Sequence, residues 1–216
     1  NYWAITVEYS NINDKPFINT LKEIVDYIDN NNIKKYNKKD YSNLVSILIK
    51  KYPKVDKGSA RKSINQFIKL GFVNTHFLSY HRLSKDFLNA TSNRKRQNIF
   101  SNIFYSNSRL RASVTKSCDD SQISFLIKTL EEVGKLSRED IIGLMTVIDL
   151  KKIRKGYFDK AEVEKAKNYA ININFKDRKY NQIRFLIKFI KQLEGLVFVN
   201  KVLYFKEDAK QIFGED

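Results

Sequence analysis

Apolar residues recur at helical spacing three times before they first alternate as in a strand. "PFINTLKEIVDYIDNNN" puts Phe17, Leu21, Ile24 or Val25, and Ile28 on one face, with Pro16 in the tolerated first turn and an asparagine run to stop it. "NKKDYSNLVSILIKKYPKV" repeats the pattern with Tyr41, Leu44, Val45, Leu48 and Ile49, and Pro53 ends it. In "SARKSINQFIKLGFVN" the stripe narrows to Ala60, Ile64, Phe67 and Ile68, and Gly71 marks a C-terminal break before the strand-like "FVNT". "FLSYHRLS" alternates as a returning strand and "KDFLNA" resumes as a helix. Three helices, a two-stranded hairpin and a closing helix make the winged variant of the helix-turn-helix.

From Gln122 the plan repeats. "FLIKTLEEVGKLSREDIIGLM" (Phe125 to Met145) echoes the first unit, "IKTLEE" standing where "INTLKE" stood. After "KKIRKGYFDKAEVEKAKNYA" comes a long amphipathic helix beginning at Phe175, then Gly195, the strands "LVFVN" and "KVLYF", and a terminal helix. "GFVN" at Gly71 and "VFVN" at Val197 close the third helix of each copy. The expected fold is therefore mainly α with small β-hairpins (α+β). Two tandem winged helix-turn-helix subdomains, residues 1–92 and 122–216, are joined over 93–121 by a basic linker with a short helix around Ile99, Phe100, Ile103 and Phe104.

The 216 residues, 42% hydrophobic, suffice for two small cores. Lys and Arg number 40 against 24 Asp and Glu, a formal charge of +16 that favours polyanionic partners. A lysine-rich genome produces the same excess, so the distribution of charge has to decide. Cys118 is the only cysteine, which rules out an intrachain disulfide and makes a reducing, cytoplasmic setting the default. His76 and His81 have no second cysteine or carboxylate at metal-ligand spacing, so no metal site is expected. No window has the roughly 18 apolar residues of a membrane span, so no membrane partner is expected; no small-molecule substrate is expected either. The start at Asn1 and the ending "GED" read as those of a processed or excised piece.

A reading helix needs Lys, Arg and Ser for phosphates, and forked or planar donors for base edges: Arg for guanine, Asn or Gln for adenine. The third helix carries both sets, with Arg61, Asn65 and Gln66 as base readers and Ser59, Lys62, Ser63 and Lys69 as phosphate contacts. An indifferent solvated face mixes Glu with Lys, yet no acid occurs from Lys57 to Lys85, which also takes in His81 and Arg82 of the wing. The second copy offers Lys176, Arg178, Lys179, Asn181, Gln182, Arg184 and Lys188, interrupted only by Asp177, and the pair Asn-Gln recurs at the same place. Lys152 and Arg154 in one loop, and Arg94, Lys95, Arg96, Arg109, Arg111 and Lys116 in the connector, extend the basic track. The expected partner is double-stranded DNA with a short, asymmetric site.

No catalytic motif accompanies this surface. Matches to the DxK half of a PD…(D/E)xK nuclease centre include Asp149-Leu150-Lys151 and Asp208-Ala209-Lys210, neither in a strand with an upstream PD. Phosphate loops, dinucleotide fingerprints, zinc-protease and hydrolase motifs are missing too. The order "YWAITVE", "INTLKEIVDYI", "SARKSINQFIKLGFVN…HRLSKDFLNA" and "FLIKTLEEVGKLSREDIIGLM" resembles the DNA-recognition half of AlwI-like type II restriction endonucleases and similar type IIS bacterial enzymes. The resemblance implies paired winged-helix subdomains that recognise a short asymmetric site, with Arg61, Lys62, Asn65 and Gln66 at recognition-helix positions. It also implies that a separate Mg²⁺-dependent nuclease domain cuts the DNA; that domain's motif has no counterpart in this chain. A tandem winged-helix replication initiator or transcription regulator would show the same sequence features.

Overall fold

Local signals set most helix boundaries. α1 (Lys15–Asn31) stops where Asn32 turns left-handed at φ 43°. α2 (Lys38–Lys51) starts at Asn37 and α3 (Lys57–Leu70) at Asp56, whose side chains accept the backbone N–H of Asp40 and Ser59. Gly71, at φ 92°, ends α3. The computed structural model describes residues 2–5, 7–52, 54–105, 110 and 121–214. Among them the chain is mainly helical, 63% in eleven α-helices and two short 3-10 segments, with one small three-stranded antiparallel sheet.

The first expected hairpin is reduced to one antiparallel bridge, Val73 with Tyr80. Residues Thr75–Phe77 form a 3-10 turn in which His76 and Phe77 both take positive φ, and the Phe77 ring is buried beside Tyr36 and Tyr41. Burying that ring folds the loop tip inward, where the sequence pattern predicts a projecting wing. α4 (Ser84–Asn89) and α5 (Asn93–Tyr105) follow.

In the second half the stretch Phe125–Met145 spans two helices. α6 (Gln122–Val133) stops at Gly134 (φ 84°), β1 (Leu136–Ser137) intervenes, and α7 (Arg138–Leu144) starts on a capping box between Ser137 and Asp140. α8 (Lys160–Asn172) starts on a second box, Asp159 with Glu162. The long amphipathic helix is also divided, into α9 (Phe175–Arg178) and α10 (Tyr180–Ile190). β2 (Leu196–Val199) and β3 (Val202–Phe205) form the hairpin, and α11 (Lys206–Phe213) follows. In the sheet order β1-β3-β2 the last strand lies in the middle, with Leu203 paired to both Leu136 and Phe198.

One buried cluster runs from Trp3 to Leu203. Phe100 links the halves, its ring centre 6.1 Å from Phe72, 5.1 Å from Phe104 and 6.0 Å from Phe189. The N-terminal segment adds a second link. Trp3 is buried, with its indole N–H donating to Val147 O at 2.6 Å and its backbone N–H to Met145 O at 2.8 Å. Lys69 of α3 donates to Ala4 O, and Gln66 takes the N–H groups of Glu8 and Tyr9 while donating to Tyr9 O. From α10 and the turn after it, Gln182 accepts from Ile5 N, and Gln192 accepts from Ile12 N and donates to Ser10 O. Along the segment the α3 partners descend in number while the α10 partners ascend. The two helices therefore run in opposite directions on either side of it, and side-chain amides satisfy backbone groups that have no sheet neighbour there.

Candidate nucleic-acid interface

α10 points one edge outward. Tyr180, Asn181, Arg184, Lys188 and, just past its end, Lys191 are exposed, while Ile183, Leu186, Phe189 and Ile190 are buried on the core side. Nothing acidic occurs from Arg178 to Leu193. The β2–β3 hairpin stands across from this edge, its turn made by Asn200 and Lys201, both at positive φ as a tight two-residue turn requires. Between them lies a groove of about 550 Å³ lined by Arg138, Tyr180, Arg184, Ile187, Lys188, Lys191, Phe198 and Lys201. Five of those eight are cations and none is an acid. Arg138 Nε is buried and has no hydrogen-bond partner among the described residues. Cations gathered along a concave wall focus positive potential outward and raise the local concentration of an anionic ligand.

The third helix of the first half is organised differently from its sequence reading. Arg61 and Lys62 are exposed, and Ser59 and Asn65 are half-exposed. Ser63, Gln66 and Lys69, expected on the outward face, are buried. The Ser63 hydroxyl donates to Ala60 O, and the other two hold the N-terminal segment. Burial pushes the Lys69 ammonium down to about 8. Gln182 is corrected in the same way, since its amide oxygen faces the segment at Ile5 N, 2.7 Å away. The recurring Asn-Gln pair thus splits by role: each glutamine braces the segment, while Asn65 stays half-exposed and Asn181 exposed.

Elsewhere the basic track is partly engaged within the fold. Arg96 is a brace, its guanidinium donating to Asn13 Oδ1, Ala90 O and Asn93 Oδ1, whereas Arg94 and Lys95 stand exposed at the start of α5. His81 is half-buried, its Nδ1 accepts Leu83 N, and burial followed by neighbouring Arg82 lowers its pKa; Arg82 itself is exposed. Lys152 lies 3.5 Å from Asp149 and Lys176 lies 3.8 Å from Glu139, while Arg154 is exposed. Arg178 reaches Ile173 O, and the Lys179 ammonium sits 4.7 Å from the centre of the Tyr2 ring. Arg109, Arg111 and Lys116 fall outside the described residues.

The groove's remaining members, Arg138, Tyr180, Lys191, Phe198 and Lys201, were not among the expected contacts. Their signal was available in part: Arg184, Lys188 and Lys191 recur at helical spacing in an acid-free run, and Asn200-Lys201 is a turn dipeptide between strands. Among the described residues no three His, Cys, Asp or Glu side chains gather as a metal cluster. No helix among them is long and apolar enough to cross a membrane. Asp149 lies before a 3-10 turn and Asp208 in the first turn of α11, so neither of these two DxK matches stands on a strand. No family model matches the chain, and neither curated proteins nor solved structures give a match.

Proposed function

We propose that the chain is a sequence-specific double-stranded DNA recognition module. The observation that carries this is the acid-free groove between α10 and the β2–β3 hairpin, where five cations converge on one concave surface. A helix edge bearing Asn181, Arg184 and Lys188 beside a basic hairpin combines a base-reading set with phosphate contacts. The order α6-β1-α7-α8, continued by α10 and the hairpin β2–β3, supports a winged-helix reading of the second half, α10 being the helix that leads into the wing. The mixed charge of α8, where Lys167 pairs with Glu164 and Glu162 pairs with Lys155, argues against that helix as the reader. The exposed start of α3, with Arg61, Lys62 and Asn65, is a second contact region.

The resemblance to AlwI-like type IIS enzymes gives this reading its biological form. The chain is the recognition part of a type II restriction endonuclease, acts in the bacterial cytoplasm, and leaves cutting to a separate Mg²⁺-dependent domain. Two unequal contact regions suit a short asymmetric site bound by one copy. The test is a titration of duplex DNA across salt concentrations, followed by selection from randomised duplexes. Log K should fall steeply with log salt, and Arg184→Ala should reduce the slope by about 1 if it removes one phosphate contact, or relax a single base position if it removes a base contact. A flat salt response, or selection that returns no consensus, overturns the proposal.

A further inference from the structure

The groove beside α10 has more apolar and aromatic surface than a phosphate backbone requires. Tyr180 is 55% exposed at its edge, and the half-buried Phe198 with the buried Ile187 lines its wall. In a duplex the flat faces of the bases are covered by their neighbours, so ring faces in a binding cleft have nothing to stack on. An unpaired base does expose its face, and aromatic rings in a cationic channel are the surface on which unpaired bases stack. The volume of about 550 Å³ lies within the range of about 300–1,000 Å³ that holds small organic ligands, more room than a phosphate alone needs.

Two details add phosphate chemistry to the ring faces. The Lys191 ammonium stands over one face of the Phe198 ring, 5.5 Å from its centre, so a cation sits on the same wall as the aromatic surface. Arg138 lines the same groove and adds a guanidinium to the cations of α10.

We infer that this groove holds an unpaired nucleotide of a DNA strand, its base against Tyr180 and Phe198 and its phosphates toward Arg138, Arg184 and Lys188. The inference rests on the DNA-binding reading above and adds to it that the groove favours a single strand, such as one opened or frayed beside the recognised duplex. The experiment uses the whole chain and three probes: a labelled thymidine oligomer of about a dozen nucleotides, a duplex of equal length, and thymidine monophosphate as competitor. An oligomer carrying 2-aminopurine reports stacking as a loss of fluorescence.

Quenching on binding is expected, with Tyr180→Ala and Phe198→Leu each weakening the single strand about tenfold and the duplex by less than about twofold. Lys188→Gln should weaken both. Absence of quenching, or equal losses on both DNA forms, overturns the inference. Displacement of the oligomer by equimolar monophosphate also overturns it, by making the groove a free-nucleotide site. Duplex binding with a steep salt slope and no single-strand binding removes this inference alone, whereas no binding to either DNA form at low salt removes the DNA reading as well. Tyr180 is exposed, so its variant stays informative if Phe198→Leu fails to fold.

Discussion

Gln66 and Gln182 follow an asparagine on the leading face of α3 and α10, and both turn their amides onto the N-terminal segment. The echo was legible in the sequence; its purpose was not. Whether a polar side chain on a helix meets solvent depends on what covers it, and the cover over Gln66 comes from residues 57 and 58 positions away. Replacing Gln66 by Ala strands three backbone groups of that segment. Chemical denaturation should register a loss of about 2–3 kcal/mol, with DNA affinity little changed at temperatures where the protein stays folded. Lys69 gives a pH signature. Its folded pKa of about 8 lies below the ordinary 10.5, so between those values the unfolded chain holds a proton that the folded chain lacks. Stability therefore rises with pH across that window and is flat in this contribution below about 8. Denaturation midpoints from pH 7.5 to 10.5, compared with those of Lys69→Met, should show the rise in the parent alone.

At the scale of elements, periodicity sufficed wherever a helix has one buried face and a clean stop. α1, α2 and α3 appear where Phe17, Tyr41 and Ala60 begin their stripes, Gly71 ends α3 as its position in the sequence predicts, and Asn37 and Asp56 set starts that the pattern alone left loose. The two-residue β1 escaped notice because so short a strand has no alternation to detect; the Ser137 capping box was the readable clue that a helix restarts after it. The two hairpins diverge for a side-chain reason. Asn200 and Lys201 can turn at the surface, whereas at the tip of the first copy Phe77 is drawn into the core. α7 and α8 press together at Gly143, where an added Cβ would meet Lys167 N at 2.6 Å and Ala166 C at 2.8 Å, all backbone. Gly143→Ala should accordingly force the helices apart and lower stability by about 1–3 kcal/mol, measurable as a fall in Tm. Gly134→Ala, whose position has open space but positive φ, tests backbone strain separately from crowding.

For the molecule as a whole, the N-terminal segment and the Phe100 cluster tie together two stretches that the sequence presents as independent repeats. Trp3→Ala should cost about 3–5 kcal/mol. Because the segment touches both α3 and α10, hydrogen exchange at the amides of both helices should accelerate together; acceleration confined to one helix would mean that the segment does not couple them. What the sequence determined by itself is the helical spacing, the stop signals and the segregation of acids away from two basic runs, since each depends on neighbours within a turn or two of chain. The tertiary structure alone decided which members of those runs face solvent. It withdrew Ser63, Gln66 and Lys69 beneath the N-terminal segment, committed Arg96 to bracing, and gathered Arg138 and Lys201 beside α10 from elements far apart in the chain. The physical reason is that exposure is a property of the packed surface, and pattern along one helix cannot reveal a cover supplied from elsewhere in the chain.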